Sequence, residues 1–458
     1  MRRNFRFGHT GIAGFVSVLV MCCLQTMPVA VAQPIAFGSA DDPFEDIPRQ
    51  WWLRRSTVDV MGGVSLIGAQ WRGATRLSAS LISRDLAARL SATARAGVFG
   101  FRDSDADEAY DALRSIEFVK YRPRRASGLH MRIGPTDRMR IGTGHLVNFY
   151  SSQTAWDERT VGAELGFEGK ALSIHGFTGD LLLDTIGGGR IALAPFFWSN
   201  DAGLQSLRLG FSAVRDLGLP YVDNKRLTGF NADMNFIAAN VGEFLLSPYA
   251  SAAWIQDFGG GIAFGAHLGS DNFIDLARLD LRMGFQRNGS QFQADYFGAF
   301  YPVSNMAARI QKAEDLSPDD PPGALAGTRL SRVEASSDFV TEIRVMFFGD
   351  FEFWYYFKRN FGDQALSEYH LRLFLSIERF RVSLSQDRGG LRGFFSLFND
   401  LGDQTSLTFR TDYEISNLFW VFVSSRYSYE DITPEAAETK TFIVERRFEP
   451  LVGVRVTF

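Results

Sequence analysis

Arg278, Asp280 and Arg282 alternate with Leu279, Leu281 and Met283. Arg410, Asp412 and Glu414 alternate in the same way with Phe409, Thr411 and Tyr413. On an extended chain successive side chains point to opposite faces, so each run gathers charge of both signs on one face and mainly apolar groups on the other. The same spacing puts Asp295, Arg344, Glu352, Lys358, Arg372, Glu378, Arg426 and Arg455 on polar faces. Two roles are open to such side chains. Cross-strand ion pairs and hydrogen bonds hold a wall together. Rings of charge around a bore filter solutes by size and sign. With both signs present, weak discrimination between anions and cations is expected.

Catalytic and metal chemistry has less to build on. Of the six His, His9 lies near the N-terminus, and His130, His145, His175, His267 and His370 are scattered. No HExxH pair and no Gly-x-Ser-x-Gly elbow occurs. His145 stands in Gly142-Thr143-Gly144-His145, where glycine would let another backbone or a ligand come close. The reading preferred for it is a rim or turn residue. That Gly-x-Gly lacks the third glycine and the βαβ setting of a nucleotide site. The acidic run Asp103-Ser104-Asp105-Ala106-Asp107-Glu108 lacks the glycine and the final Glu of a calcium loop. No cofactor, no metal and no catalytic set is therefore expected.

The charged faces must be carried by strands. From about Val58 the chain is a series of alternating segments divided by turn residues. The cleanest are 161–168, 278–286, 371–378 and 407–415. Further candidates are 75–83, 86–101, 206–215, 229–238, 247–258, 261–269, 291–301, 341–348, 351–359 and 418–429. Many run about nine to twelve residues, the span of a tilted membrane strand, where soluble strands average about five or six. No stretch reads as a long amphipathic helix, which excludes βαβ architecture. Short connectors such as Arg287-Asn288-Gly289-Ser290 and Ile415-Ser416-Asn417 suit tight hairpins. Longer polar ones recur at 103–111, 150–159, 216–227 and 389–404. Gly187-Gly188-Gly189 and Gly259-Gly260-Gly261 read as turns. The longest connector, 301–337, carries Pro318, Pro321, Pro322 and several acids. Surface exposure is the preferred reading for it, and a constriction folded into the lumen the alternative.

The chain ends on Leu451-Val452-Gly453-Val454-Arg455-Val456-Thr457-Phe458. Val452, Val454, Val456 and Phe458 share one face, and Arg455 and Thr457 the other. This strand resembles the closing strand of bacterial outer-membrane β-barrel proteins, which alternate in this way and finish on Phe. The family's usual aromatic two places before the end is Val456 here. The resemblance is to the porin-like superfamily and to no named family within it. It implies an all-β fold, a single antiparallel transmembrane barrel over residues 58–458. It also implies residence in the outer membrane of a Gram-negative-type bacterium, with lipid and the barrel-assembly machinery as partners. Dividing the strand-bearing length by a strand and its share of connectors gives about sixteen strands, with fourteen to twenty admissible and an even number expected.

Composition agrees. Aromatic residues make up 14% of the 458, with 42 Phe, which suits strands and interfacial girdles. Arg2, Arg3 and Arg6, an apolar stretch from 11 to 24 and Ala30-Val31-Ala32 read as a cleaved secretory signal, residues 1–32. Both Cys, Cys22 and Cys23, fall inside it, so the mature chain would fold without disulfides. Its removal takes away three Arg and no acid, moving the formal charge from −4 to −7, which argues against nucleic acid as a partner. Residues 33–57, with Trp51 and Trp52, are expected to form a periplasmic lead-in. The function expected is a passive channel for small hydrophilic solutes, with a surface-acting barrel enzyme and a plugged structural or assembly barrel as alternatives. Oligomeric state is left open.

Overall fold

The computed structural model describes residues 56–458 except 99, 107, 122–127, 219–225, 274–275, 306–307, 312–324, 327–329, 348–349, 363–366, 392–403 and 434–439. The expected signal and nearly all of the lead-in lie outside the described residues. Twenty strands form the wall. The first seven are β1 (Thr57–Ile67), β2 (Gln70–Ile82), β3 (Leu86–Gly97), β4 (Ile116–Tyr121), β5 (Leu129–Gly134), β6 (Gly162–Glu168) and β7 (Leu172–Thr178). Next come β8 (Ile186–Leu193), β9 (Arg208–Asp216), β10 (Thr228–Asn235), β11 (Phe244–Ile255), β12 (Gly260–Phe273), β13 (Ala277–Asn288) and β14 (Ser336–Phe347). The last six are β15 (Phe351–Asn360), β16 (Ser367–Ile377), β17 (Phe380–Leu391), β18 (Thr405–Glu414), β19 (Phe419–Asp431) and β20 (Lys440–Thr457).

Each strand pairs antiparallel with the next, and β1 closes the ring on β20 from Thr57↔Thr457 to Ile67↔Arg447. Alternation decides what faces outward. Val60, Leu77, Leu90, Ile191, Phe211, Phe264, Phe285, Val452 and Val456 are exposed on the outer surface, while Asp59, Arg89, Glu164, Arg282, Glu342, Asp412 and Arg455 are buried inside. This is the inverse of a water-soluble fold. A closed sheet with an apolar outside and a charged inside is a transmembrane barrel, because lipid offers exposed backbone no hydrogen bonds. Among the described residues no helix is long and apolar enough to cross a membrane.

The closing strand behaves as its pattern predicts: Val456 is exposed and Arg455 is 2% exposed. The strand number is twenty, the top of the expected range. The sequence count is low because several strands are short: β4 and β5 have 6 residues, β6 and β7 have 7. Gly187-Gly188-Gly189 is not a turn. It lies within β8, paired to β7 and β9, so its lack of side chains marks a thin patch of wall. Gly260 and Gly261 begin β12, leaving Gly259 to the turn. The segment 291–301 is not a wall strand at all, although it alternates. The termini define one rim, and the three longest connectors, 98–115, 135–161 and 289–335, all sit on the opposite, far rim.

Ring closure is pinned from inside. Arg455 Nε donates to Asp59 Oδ1 at 2.5 Å, and Arg89 donates to Asp59 Oδ2 at 3.2 Å. All three side chains are no more than 2% exposed. Removing one member leaves buried charge uncompensated, at a cost of about 3–5 kcal/mol. Asp59→Ala should therefore lower the urea midpoint of the heat-modifiable gel shift, and Asp59→Asn should lower it less. An unchanged midpoint in Asp59→Ala would show that this contact does not hold the seam.

Candidate functional site

Two connectors of the far rim fold into the lumen. The first, 135–161, joins β5 to β6, and every residue from Met139 to Ser152 is buried. The second, 289–305, follows β13 and buries Phe292, Ala294, Tyr296, Phe297, Tyr301 and Val303. They bond to each other: Asp295 and Phe297 donate backbone N–H groups to the carbonyls of His145 (3.1 Å) and Leu146 (3.2 Å), and Thr154 Oγ1 donates to the Ala299 carbonyl. Their apolar side chains pack with Phe177, Ile186, Val214, Ala253 and Ile255, so both segments lie against the β7–β11 side of the wall. Each fully buried aromatic here contributes about 2–3 kcal/mol. The packing is close enough to require glycine at two positions. Gly142 and Gly144 have φ of +58° and +75°, and a Cβ on Gly142 would stand 2.7 Å from an Asp233 carboxylate oxygen.

Charged side chains fasten the first segment to the wall. Arg140 pairs with Glu342 at 2.9 Å, Asp137 with Arg372 at 3.3 Å, and Asp157 with both Arg102 and Arg447 at 2.6 Å. Arg282 donates to the Thr143 carbonyl. Buried pairs of this kind are costly to break and so fix one position.

With one side of the lumen filled, open space remains on the other. A cavity of about 400 Å³ lies between the first segment and strands β2–β5 and β17–β20. Ten basic side chains line it: Arg76, Arg95, Arg114, Lys120, Arg132, Arg138, Arg159, Arg410, Arg426 and Arg447. Six acids do so: Asp105, Asp111, Glu117, Asp137, Asp157 and Glu449. A second cavity of about 180 Å³, between the second segment and the far-rim ends of β13–β17, has the opposite balance: Asp295, Glu334, Asp338 and Glu368 against Lys358. The larger cavity thus carries an excess of basic side chains and the smaller an excess of acidic ones.

Of the residues singled out by alternation, Arg410 and Arg426 line the larger cavity and Asp295 the smaller. Arg278 pairs with Asp280 (3.1 Å), Arg344 with Glu352 (2.8 Å) and Arg372 with Asp387 (2.8 Å), all holding the wall. Arg282 and Arg455 hold the segment and the seam, and Asp412 pairs with Arg410. Glu414 is half-buried at the end of β18. Glu378 is misplaced by the pattern: it occupies the exposed two-residue turn between β16 and β17, with φ of +46°. Asp295 sits on the second inward segment and not on a strand.

Connector 150–159, read from the sequence as one of the longer polar connectors, supplies Gln153, Trp156, Asp157 and Arg159 to the cavity. At the described ends of 301–337, Tyr301 and Leu330 are buried, while Ser331, Arg332, Glu334 and Ala335 are exposed. The available signal for both was the density of aromatic and aliphatic residues in Ile141–Tyr150 and Phe292–Tyr301, too apolar for solvated loops. His145 is neither a rim residue nor exposed. Its Nδ1 lies 3.0 Å from Ser251 Oγ, both are buried, and neither lines either of the two cavities above.

No protein-family model and no curated protein matches this sequence. Among solved structures it is similar to OccK2 (OpdF) of Pseudomonas aeruginosa, at 10% identity and TM-score 0.32, covering 88% of this chain and 98% of that one. It is also similar to the outer membrane protein OpdK of the same organism, at 8% identity and TM-score 0.32, covering 89% and 100%. A BenF-like porin from Pseudomonas fluorescens Pf-5 follows at 8% identity and TM-score 0.30, covering 88% and 98%. At scores this low the barrel is read from this chain's own pairing and burial.

The inward packing has a pH signature. Burial pushes the His145 imidazole down to about 4 from 6.5; the charge of Asp295 opposes the shift, and those of Lys358 and Arg282 add to it. Because the packed pKa is the lower, the stabilisation is complete above 6.5 and is lost as pH falls toward about 4. Limited proteolysis within 135–161 should accelerate over that fall, and His145→Gln should flatten the dependence. Equal pH profiles for the two proteins would remove His145 from the account.

Proposed function

We propose that this protein is exported with residues 1–32 removed, inserts in the bacterial outer membrane, and works as a porin-like channel for small hydrophilic solutes with a preference for anions. The single observation that carries this reading is the larger cavity, with ten basic side chains against six acidic ones. Fixed charge at low-dielectric walls concentrates the opposite ion and favours its passage. The anion preference departs from the weak selectivity that mixed signs imply, because position inside the barrel counts and not the sum. Lipid around the apolar belt and the barrel-assembly machinery during insertion are the partners this reading calls for.

The filled half of the lumen favours a second reading, a closed barrel with a structural or assembly role. Conductance separates the two. Refolded residues 33–458 in a planar bilayer should give stable ohmic steps. Under a KCl gradient the reversal potential should have the sign of chloride preference, and the preference should weaken near 1 M salt, where the screening length falls to about 3 Å. Insertion without current would transfer the case to the closed barrel. Potassium preference would overturn the anion reading.

A further inference from the structure

Most guanidinium groups around the larger cavity are answered by acids. Arg95 has Asp105 and Glu449, and Arg447 has Asp157 and Glu445. Two are not. Among the described residues, Arg159 and Arg426 meet no carboxylate within 4.0 Å. Arg159 donates only to the backbone carbonyls of Trp156 (2.9 Å) and Arg114 (3.0 Å). Among the described residues the side chain of Arg426, on β19, donates to none.

What both do is stack on one ring. The guanidinium carbons of Arg159 and Arg426 lie 4.4 and 3.1 Å from the centroid of Trp156. A cation over an aromatic face is held by the ring quadrupole, and this contact leaves the in-plane N–H donors uncommitted. The ring therefore holds both guanidinium groups in place: among the described residues Arg426 keeps all its N–H donors available, and Arg159, with one N–H of each terminal nitrogen given to a backbone carbonyl, keeps the rest. A free, oriented edge is the geometry that takes two oxygens of one oxyanion. Trp156 and Arg159 belong to the inward segment and Arg426 to the wall it touches, and all three line the larger cavity.

We propose that Arg426 and Arg159, oriented by Trp156, form a saturable binding subsite for the oxyanion group of a small solute, a carboxylate or a phosphate. This rests on the channel reading above, but it adds binding to mere charge preference. In the full mature protein in a bilayer, acetate, succinate and phosphate should each be titrated into a fixed chloride background. Oxyanion binding should lower the chloride current to a plateau. Arg426→Gln should weaken the half-saturating concentration by about tenfold, the loss of a charge-assisted hydrogen-bonded contact. Arg426→Lys, which keeps the charge and loses the planar fork, should be weakened as well.

A plateau with acetate and succinate alone would assign the site to carboxylates, and one with phosphate alone to phosphate. A strictly linear response, or a plateau unaltered in Arg426→Gln and Arg426→Lys, would overturn the subsite while the reversal potential still tested the anion channel. Tryptophan fluorescence of the detergent-refolded protein, with Trp156→Phe as blank, provides a readout that needs no current. An oxyanion-dependent change confined to the protein with Trp156 supports the subsite, and its absence opposes it.

Discussion

A backbone amide that faces hydrocarbon must find its partner within the protein, and the rest of this structure depends on that constraint. A sheet satisfies it only by having no edge. Here the first and last strands meet across the whole chain, with Asp59 and Arg455, 396 residues apart, bonded at the seam. Once the ring is closed, alternation divides the side chains without further instruction. Val60 and Val456 go to the outer surface, and Asp59 and Arg455 go to the lumen. The lumen then holds many charges in little space, and they pair across strands or collect in the cavities that remain.

A ring of twenty strands encloses more room than wall side chains can fill. This chain fills it with its own connectors. The two inward segments pack apolar side chains on β7–β11, and also Phe149 and Ala299 on β14 and β15 and Ala155 and Val303 on β19 and β20, while charged side chains of the first face the larger cavity. Phe292 and Phe297 are fully buried in them.

The wall was legible because its period is two. Residues 278–286 and 407–415 show which side each residue takes, and the structure agrees at Arg282, Phe285, Asp412 and Tyr413. The short strands were less legible. Six or seven residues are too few for alternation to stand out, and the three glycines of β8 look like a turn. The lumen was hidden for a different reason. Residues 291–301 alternate in sequence as a wall strand would, yet Phe292, Ala294 and Tyr296 and also Phe297 and Tyr301 pack in one apolar cluster, and Asp295 meets Asn148 and Lys358. Alternation reports two unlike surroundings but does not say whether either is lipid. Arg426 was found from its strand; Trp156 and Arg159 were missed because a polar connector gives no direction.

The wall does not have the same height all round. Strands β6, β7 and β8 have 7, 7 and 8 residues, and β20 has 18. At about 3.3 Å per residue and a tilt of about 40°, seven residues rise roughly 18 Å. A hydrocarbon layer near 25 Å must therefore thin along that arc, at a cost of fractions of a kcal/mol per Å. The same arc supports the inward segments from within. The membrane beside it would be dimpled, and lipids with shorter acyl chains would gather there.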